Sequence, residues 1–409
     1  MTVETSFPKQ KIRVLLLEGV HPDAVARLRE ETFAVETAKR ALDEAELVEC
    51  IADYHLIGIR SKTYLTDRVL KKARRLLAIG AFCIGTNQIA SSVARSMGIP
   101  VFNAPHANTR SVAELVIADI LMLFRNLHDK VRAAHDGVWD KSAHGSVEVR
   151  GKTLGIVGYG HIGSQVSILA EALGMRVLFH DVADRLALGN ATRTADLRDL
   201  LERSDVVTVH VPGDPDNAGL IGASEIGWMK TGAYLINTSR GFVVDIEALR
   251  AALVAKRIAG AAIDVFPEEP SSAADPFITP LQGLPNVILT PHIGGSTQEA
   301  QRNIGIEVSG KLIRFTNNGS TEGAVNFPNV LLPELLHHHR ILHIHQNVPG
   351  VLQNVNAIFG EAGINVAAQH LRTHEDVGYL IVDIDKTATR AMIRRLAALP
   401  ETIRVRALF

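Results

Sequence analysis

Three stretches close apolar runs with polar residues: 234–241 with Arg240, 261–270 with Glu269, and 287–297 with His292. A guanidinium, a carboxylate and an imidazole suit acid/base chemistry on an anionic hydroxy compound. Imidazole titrates near working pH and can take a hydroxyl proton. A carboxylate beside it fixes its tautomer and stabilises the imidazolium. A guanidinium can grip a carboxylate through its two-pronged face and polarise a carbonyl. In an open α/β sheet, ligands bind beyond the strand C-termini, where Arg240, Glu269 and His292 could converge. The same spacing equally allows a solvated Arg240/Glu269 pair with His292 merely starting a helix.

A second cluster is Gly158-Tyr-Gly160-His161-Ile162-Gly163, a G-x-G-x-x-G. Alone it is weak evidence. Here it follows an apolar strand pattern (residues 152–158), precedes a helical one (165–173), and is followed by a strand (176–180) ending at Asp181. That order is the dinucleotide fingerprint. Gly158 makes the tight turn, Gly160 lets a pyrophosphate approach the backbone, and Gly163 allows close helix–strand packing. The helix start offers N–H groups to phosphates. Asp181 would accept bonds from the ribose hydroxyls and repel a 2′-phosphate, so NAD is expected over NADP.

The elements that must position these groups alternate strand and helix, which implies parallel sheets with crossovers. Residues 1–107 read as a first α/β unit. Ser111 with Glu114 matches a capping box opening a long helix, with an apolar stripe through Leu115, Ala118 and Met122. A second run of βα units reaches about residue 296. A helix over 297–315 and a turn signal at 317–320 then suggest that the chain returns to the first unit, splitting it in sequence. From about residue 338 the pattern is βαββαβ, a ferredoxin-like module too small for the chemistry itself. The expected architecture is a Rossmann-like domain (108–296) inserted in a flavodoxin-like α/β domain (1–107 and 297–335), followed by the module at 338–409.

Composition narrows the partners. Apolar residues make up 46%, charged residues 21%, and the net charge is −1. No global field favours nucleic acid or an anionic membrane, so an acidic substrate must be held by local cations. Arg60 and Lys62 follow a strand end, with Ser61 and Asn108 as hydrogen-bond donors; they could supply such cations or equally stay solvated surface charges. Cys50 and Cys83 have no spaced partner and read as structural. The N-terminal residues lack a signal-peptide pattern, and the apolar segment 115–124 is short and contains Asp119, so a cytoplasmic protein is expected.

These motifs together resemble the D-isomer-specific 2-hydroxyacid dehydrogenase family. The family's signature regions match at 155–181, 206–212, 229–245, 264–269 and His292. The resemblance implies Arg240, Glu269 and His292 as the catalytic trio, with His292 as acid/base. It implies cofactor contacts at His161, Ile162, Asp181, Thr238, Ser239, Arg240, Asp264, His292, Ile293, Gly294 and Gly295. Stretches at 59–63, 80–87, 102–105, 108–114, 137–139 and 289–300 are similar to a short bacterial branch of the family. That likeness implies oxidation of 3-phospho-D-glycerate to 3-phosphohydroxypyruvate, the first step of L-serine biosynthesis, in a homotetramer. Reduction of 2-oxoglutarate to 2-hydroxyglutarate is an implied second activity. The C-terminal module resembles an ACT domain, which implies feedback inhibition by L-serine held at His345, Asn347 and Asn365.

Two positions depart from that branch. Lys62 stands where arginine is common, which removes the bidentate fork for phosphate. The linker carries His337, His338 and His339 where small flexible residues are usual; with no acid or cysteine among them, a metal site is not expected. Two other readings are a sister dehydrogenase for glycerate, glyoxylate or lactate, and an NAD-sensing corepressor of the same fold. The ACT-like module and the Arg60/Lys62 pair argue against the first, and the second does not need an amino-acid-binding C-terminal module.

Overall fold

The computed structural model describes residues 7–270, 275–334, 339–385 and 388–408. The chain forms two compact units, Met1–Ala107 with Gln301–Phe409, and Asn108–Ala300.

In the first unit, five strands form a parallel sheet in the order β2-β1-β3-β4-β5. They are β1 (Arg13–Leu16), β2 (Ala34–Thr37), β3 (Leu56–Ile59), β4 (Ala78–Ala81) and β5 (Val101–Phe102). This is the flavodoxin-like order. β3 and β4 are buried on both faces, as expected of short apolar runs between crossovers. The Gln298–Asn318 helix carries the chain back, and its Ile304, Val308, Leu312 and Phe315 share a core with Val14, Leu16 and Phe102.

The second unit holds seven parallel strands: β6 (Thr153–Val157), β7 (Arg176–His180), β8 (Thr192–Arg193), β9 (Val206–Val209), β10 (Ala233–Asn237), β11 (Ile258–Ile263) and β12 (Val287–Leu289). Their order is β12-β11-β10-β9-β6-β7-β8. Strand order reverses between β6 and β9, and that switch point opens a crevice at the strand C-termini.

The C-terminal module is βαββαβ: β13 (His339–Gln346), the Val351–Glu361 helix, β14 (Val366–His374), β15 (Val377–Ile384), the Arg390–Ala397 helix and β16 (Thr402–Leu408). Its antiparallel sheet runs β14-β15-β13-β16. Arg340 ties it to the rest of the first unit. This fully buried guanidinium pairs bidentately with Asp383 at 2.6 and 2.8 Å and donates to the Asn318 carbonyl at 3.0 Å.

Some local expectations fail. The long helix is Thr109–Phe124 with Asn108 at its N-cap and no side-chain cap. Ser111 instead bonds Thr297 at 2.7 Å, and Glu114 pairs with Arg110, so there is no capping box. Its buried face runs through Val112, Val116, Ile120 and Leu123, one position from the expected stripe. The helix is apolar around most of its girth, so periodicity singled out no face. The 317–320 turn begins later, because the helix continues through Asn318 and ends at Gly319, whose φ of +82° few other residues adopt. His337 and His338 of the unusual linker lie outside the described residues. Among the described residues no helix is long and apolar enough to cross a membrane.

Candidate active site

Arg240, Glu269 and His292 all belong to the second unit and follow β10, β11 and β12. His292 Nδ1 lies 2.8 Å from Glu269 Oε2 and 3.1 Å from Oε1. A carboxylate only accepts, so Nδ1 carries the proton and Nε2 is left to exchange one with a substrate. Glu269 is held in turn by the Phe266 N–H at 3.1 Å. The bond to Glu269 raises the His292 pKa; burial opposes it, and the charges of Glu269 and Asp264 support it. Burial pushes Glu269 up, but the bond and charge of His292, the Phe266 N–H and the charge of Arg240 hold it below its ordinary value. Arg240 therefore lies close enough to act on both partners.

Each member is braced by its own turn. The Arg240 Nη1 donates to the Ser239 carbonyl at 2.7 Å. Asn237, buried at the end of β10, accepts from the Ser239 N–H and hydroxyl and donates to the Arg240 carbonyl. His292 has a positive φ of 53°, an uncommon conformation for a residue with a Cβ. Asp264 enforces it: its carbonyl accepts the His292 N–H at 2.8 Å, and its carboxylate accepts Thr290 Oγ1, Ile293 N and Gly294 N at 2.6–2.9 Å. Asp264 is thus a positioning group for the 292–294 loop.

The glycine-rich loop fits a dinucleotide. A Cβ on Gly158 would stand 2.5 Å from the His210 carbonyl, and one on Gly163 would stand 2.3 Å from the Gly158 carbonyl. Gly160 meets nothing within 4 Å, so its surface is open to a ligand. The His161–Ala172 helix starts there without a side-chain cap, which suits a pyrophosphate. Ile162 lies on its first turn. Around the crevice, three buried polar atoms find no partner among the described residues: His180 Nδ1 at the end of β7, His210 Nδ1 after β9 and Thr238 Oγ1 after β10. Buried polar groups normally pair, so this trio marks where a polar ligand belongs. The Asp181 carboxylate accepts the Tyr159 and Ala183 N–H groups at 2.8 Å each, with Arg185 at 3.6 Å. A carboxylate has about four acceptor sites, which leaves room for ribose hydroxyls.

The remaining assigned residues fall in separate places. Asn108 sits beside Gly295, where an added Cβ would stand 2.4 Å from Asn108 Nδ2. Arg60, Ser61 and Lys62 lie in the first unit, on a loop after β3. His345 is buried in β13, stacked on His343 at 5.3 Å, with Nδ1 bonded to the Gln346 carbonyl and Nε2 buried without a partner. Asn347 bonds the Asp376 and Glu375 carbonyls through its N–H and side chain. Asn365 does not join them. It precedes β14 near Ile384, whereas Asn347 follows β13 near Val377. Along a strand that separation is roughly 25 Å, so within one chain the three cannot hold one small effector.

Two residues that the sequence reading passed over emerge here. Glu18, after β1 and with a φ of 61°, accepts the N–H groups of Arg60, Lys62 and Thr63 at 2.9–3.0 Å and so shapes the cationic loop. Asp119 is buried in the Thr109–Phe124 helix. Burial first, then the charge of Asp264, push its carboxyl up to about 7. An acid-glycine pair after a strand, and an acid in an apolar run, were the available signals.

Residues 117–294 match the family model for the D-isomer specific 2-hydroxyacid dehydrogenase NAD binding domain, and residues 341–404 match an AHAS small subunit-like ACT domain. A relative from Escherichia coli, D-3-phosphoglycerate dehydrogenase, is 55% identical over 99% of this chain and 100% of its own. A protein of the same name from Dictyostelium discoideum is 50% identical over 100% of both. A structure of D-lactate dehydrogenase from Aquifex aeolicus, complexed with NAD and lactic acid, aligns with a TM-score of 0.67 and 29% identity. It covers 77% of this chain and 100% of its own.

Proposed function

Because the chain belongs to the D-isomer-specific 2-hydroxyacid dehydrogenase family and is an NAD-dependent oxidoreductase, we propose that it oxidises 3-phospho-D-glycerate to 3-phosphohydroxypyruvate, the first step toward L-serine. The observation that carries the chemistry is the Glu269–His292 contact beside Arg240.

NAD, when bound, supplies the hydride acceptor. His292 Nε2 takes the hydroxyl proton of the substrate, while Glu269 keeps the opposite nitrogen protonated and steadies the imidazolium. Arg240 holds the substrate carboxylate and polarises the oxygen at C2. In the reverse direction the protonated His292 returns its proton to that oxygen. Asn108 donates to the substrate. The phosphate is assigned to Arg60 and Lys62 with Ser61. Lys62 contributes a point charge in place of a fork. The same cations suit a distal carboxylate, which supports 2-oxoglutarate as a second substrate for reduction.

L-serine as effector is supported by the ACT match and by the unpartnered Nε2 of His345. Since Asn365 lies at the far end of the sheet from Asn347, a complete effector site takes residues from two chains. Strand β14 is an edge strand with most of its residues exposed. Antiparallel pairing of two such edges would set Asn365 of one chain beside Asn347 of the other, consistent with a symmetric homo-oligomer such as a tetramer.

The test is NADH oxidation with 3-phosphohydroxypyruvate, with and without L-serine. Turnover suppressed by serine supports the whole reading. Turnover on glyoxylate or hydroxypyruvate but not on the phosphorylated acid would reject the substrate.

A further inference from the structure

The first unit contains a cavity of about 790 Å³ that none of the residues discussed above explains. It lies where the Arg390–Ala397 helix and β16 face the start of β1, the loops bearing His55 and Leu77, and the end of the Gln298–Asn318 helix. Among the described residues its lining includes Lys9, Arg390, Arg394 and Arg406 and no carboxylate. Lys9 is neutralised by Glu31 at 2.6 Å, and no ion pair among the described residues neutralises the three guanidinium groups.

Arg406 is the most telling of them. Its Nη2 donates to the Thr316 carbonyl at 3.1 Å, and its guanidinium lies over the Phe315 ring at 5.3 Å. Its Nη1 is buried and has no acceptor among the described residues. Burial lowers its pKa to about 10, with Arg404 adding repulsion. A buried cation with an unmet donor is costly, and an anion in the cavity would relieve it. His55 adds a neutral donor. Its Nδ1 accepts the Arg13 N–H, which leaves the proton on Nε2.

The other half of the wall is apolar, with Phe7, Ile12, Leu77, Ile393 and Leu408 among its members. Volume decides between kinds of anion. A water-sized species takes about 30 Å³, so an inorganic anion would leave most of this space empty. The cavity instead has the size and mixed lining of an organic-ligand pocket.

We propose that this cavity binds an amphipathic organic anion, a carboxylate with an apolar body, whose carboxylate is gripped by Arg406 and Arg394 and whose body lies along Ile393, Leu77 and Phe7. Bound there, it would bridge the ACT module and the flavodoxin-like sheet. The site is independent of the hydroxyacid chemistry.

Calorimetric titration of the full-length protein with octanoate tests this, with inorganic phosphate as a head-group-only probe. Octanoate is expected to saturate one site per chain and to bind more tightly than phosphate. Loss of one charge-assisted bond in Arg406→Gln should weaken octanoate about tenfold. Arg394→Gln, at an exposed helix position, serves as the second variant should the buried change impair folding, and it should weaken octanoate severalfold. Absence of saturable octanoate binding would overturn the proposal. So would phosphate binding as tightly as octanoate, or octanoate affinity unchanged in the variant or variants that fold.

Discussion

At the scale of single residues, the site works by pairing groups whose environments push their proton affinities apart. Glu269 raises the affinity of His292, and the bond to His292 holds that of Glu269 below its ordinary value against burial. If His292 is the base proposed above, oxidation needs it neutral, so kcat/KM in that direction should climb with pH through a value above the ordinary histidine pKa. Reduction should persist below it and fade above it. Glu269→Gln removes the charge that sustains the shift. The oxidation profile should then move to lower pH, with kcat reduced by roughly a hundredfold; a profile that stays in place would remove Glu269 from this role. His292→Ala should cost turnover far more than NAD binding. Asp119 makes a different prediction. Its carboxyl titrates lower in the unfolded chain than in the folded one. Stability present below the unfolded pKa is therefore lost as pH rises toward about 7. Asp119→Asn should gain more thermal stability over the parent at pH 8 than at pH 5. An equal shift at both pH values would mean that the carboxyl is ionised throughout.

At the scale of elements, the glycine-rich turn separates packing from ligand approach. Gly163 sits where any Cβ would press on the Gly158 carbonyl, whereas Gly160 borders open space. Gly163→Ala should destabilise the second unit by about 1–3 kcal/mol. Gly160→Ala should leave the melting temperature unchanged and still weaken NAD binding, as read by fluorescence titration. If both variants behave alike, the division of labour within this turn is wrong. Element boundaries also show where the sequence was legible. Strand β7 matches the expected 176–180 because an apolar run with clear flanks leaves one reading. The face of the Thr109–Phe124 helix was misread because a mostly apolar helix offers several equivalent stripes. The supposed capping box failed because Ser111 found a better partner in Thr297, far away in sequence.

At the scale of the whole molecule, the ACT-like module is fastened to the flavodoxin-like sheet by charged contacts. Arg95, on the Ser91–Ser96 helix, is largely buried and pairs with Asp376 at 2.7 Å and with Glu375. Asn347 bonds the backbone of those same two residues. An effector bound at Asn347, as proposed, would therefore act on a hairpin that the first sheet holds directly. Arg95→Ala should leave turnover without serine close to the parent value and weaken serine inhibition severalfold, since coupling free energies of this kind run to about 1–3 kcal/mol. Unaltered inhibition would show that the hairpin does not transmit the effector.

What the sequence by itself determined is whatever depends on neighbours along the chain: strand–turn–helix order, the glycine fingerprint, Arg240, Glu269 and His292 as candidates through their motifs, and the βαββαβ module. Those signals are local, and each survives without knowledge of the fold. Only the tertiary structure decided which nitrogen of His292 is left for the substrate and that Asp264 braces the loop while Glu18 shapes another. It also decided that Asn365 stands apart from Asn347 and that Arg406 is buried in a cavity with no counter-charge among the described residues. These outcomes depend on hydrogen bonds and burial between segments tens or hundreds of residues apart, which pattern and spacing do not encode.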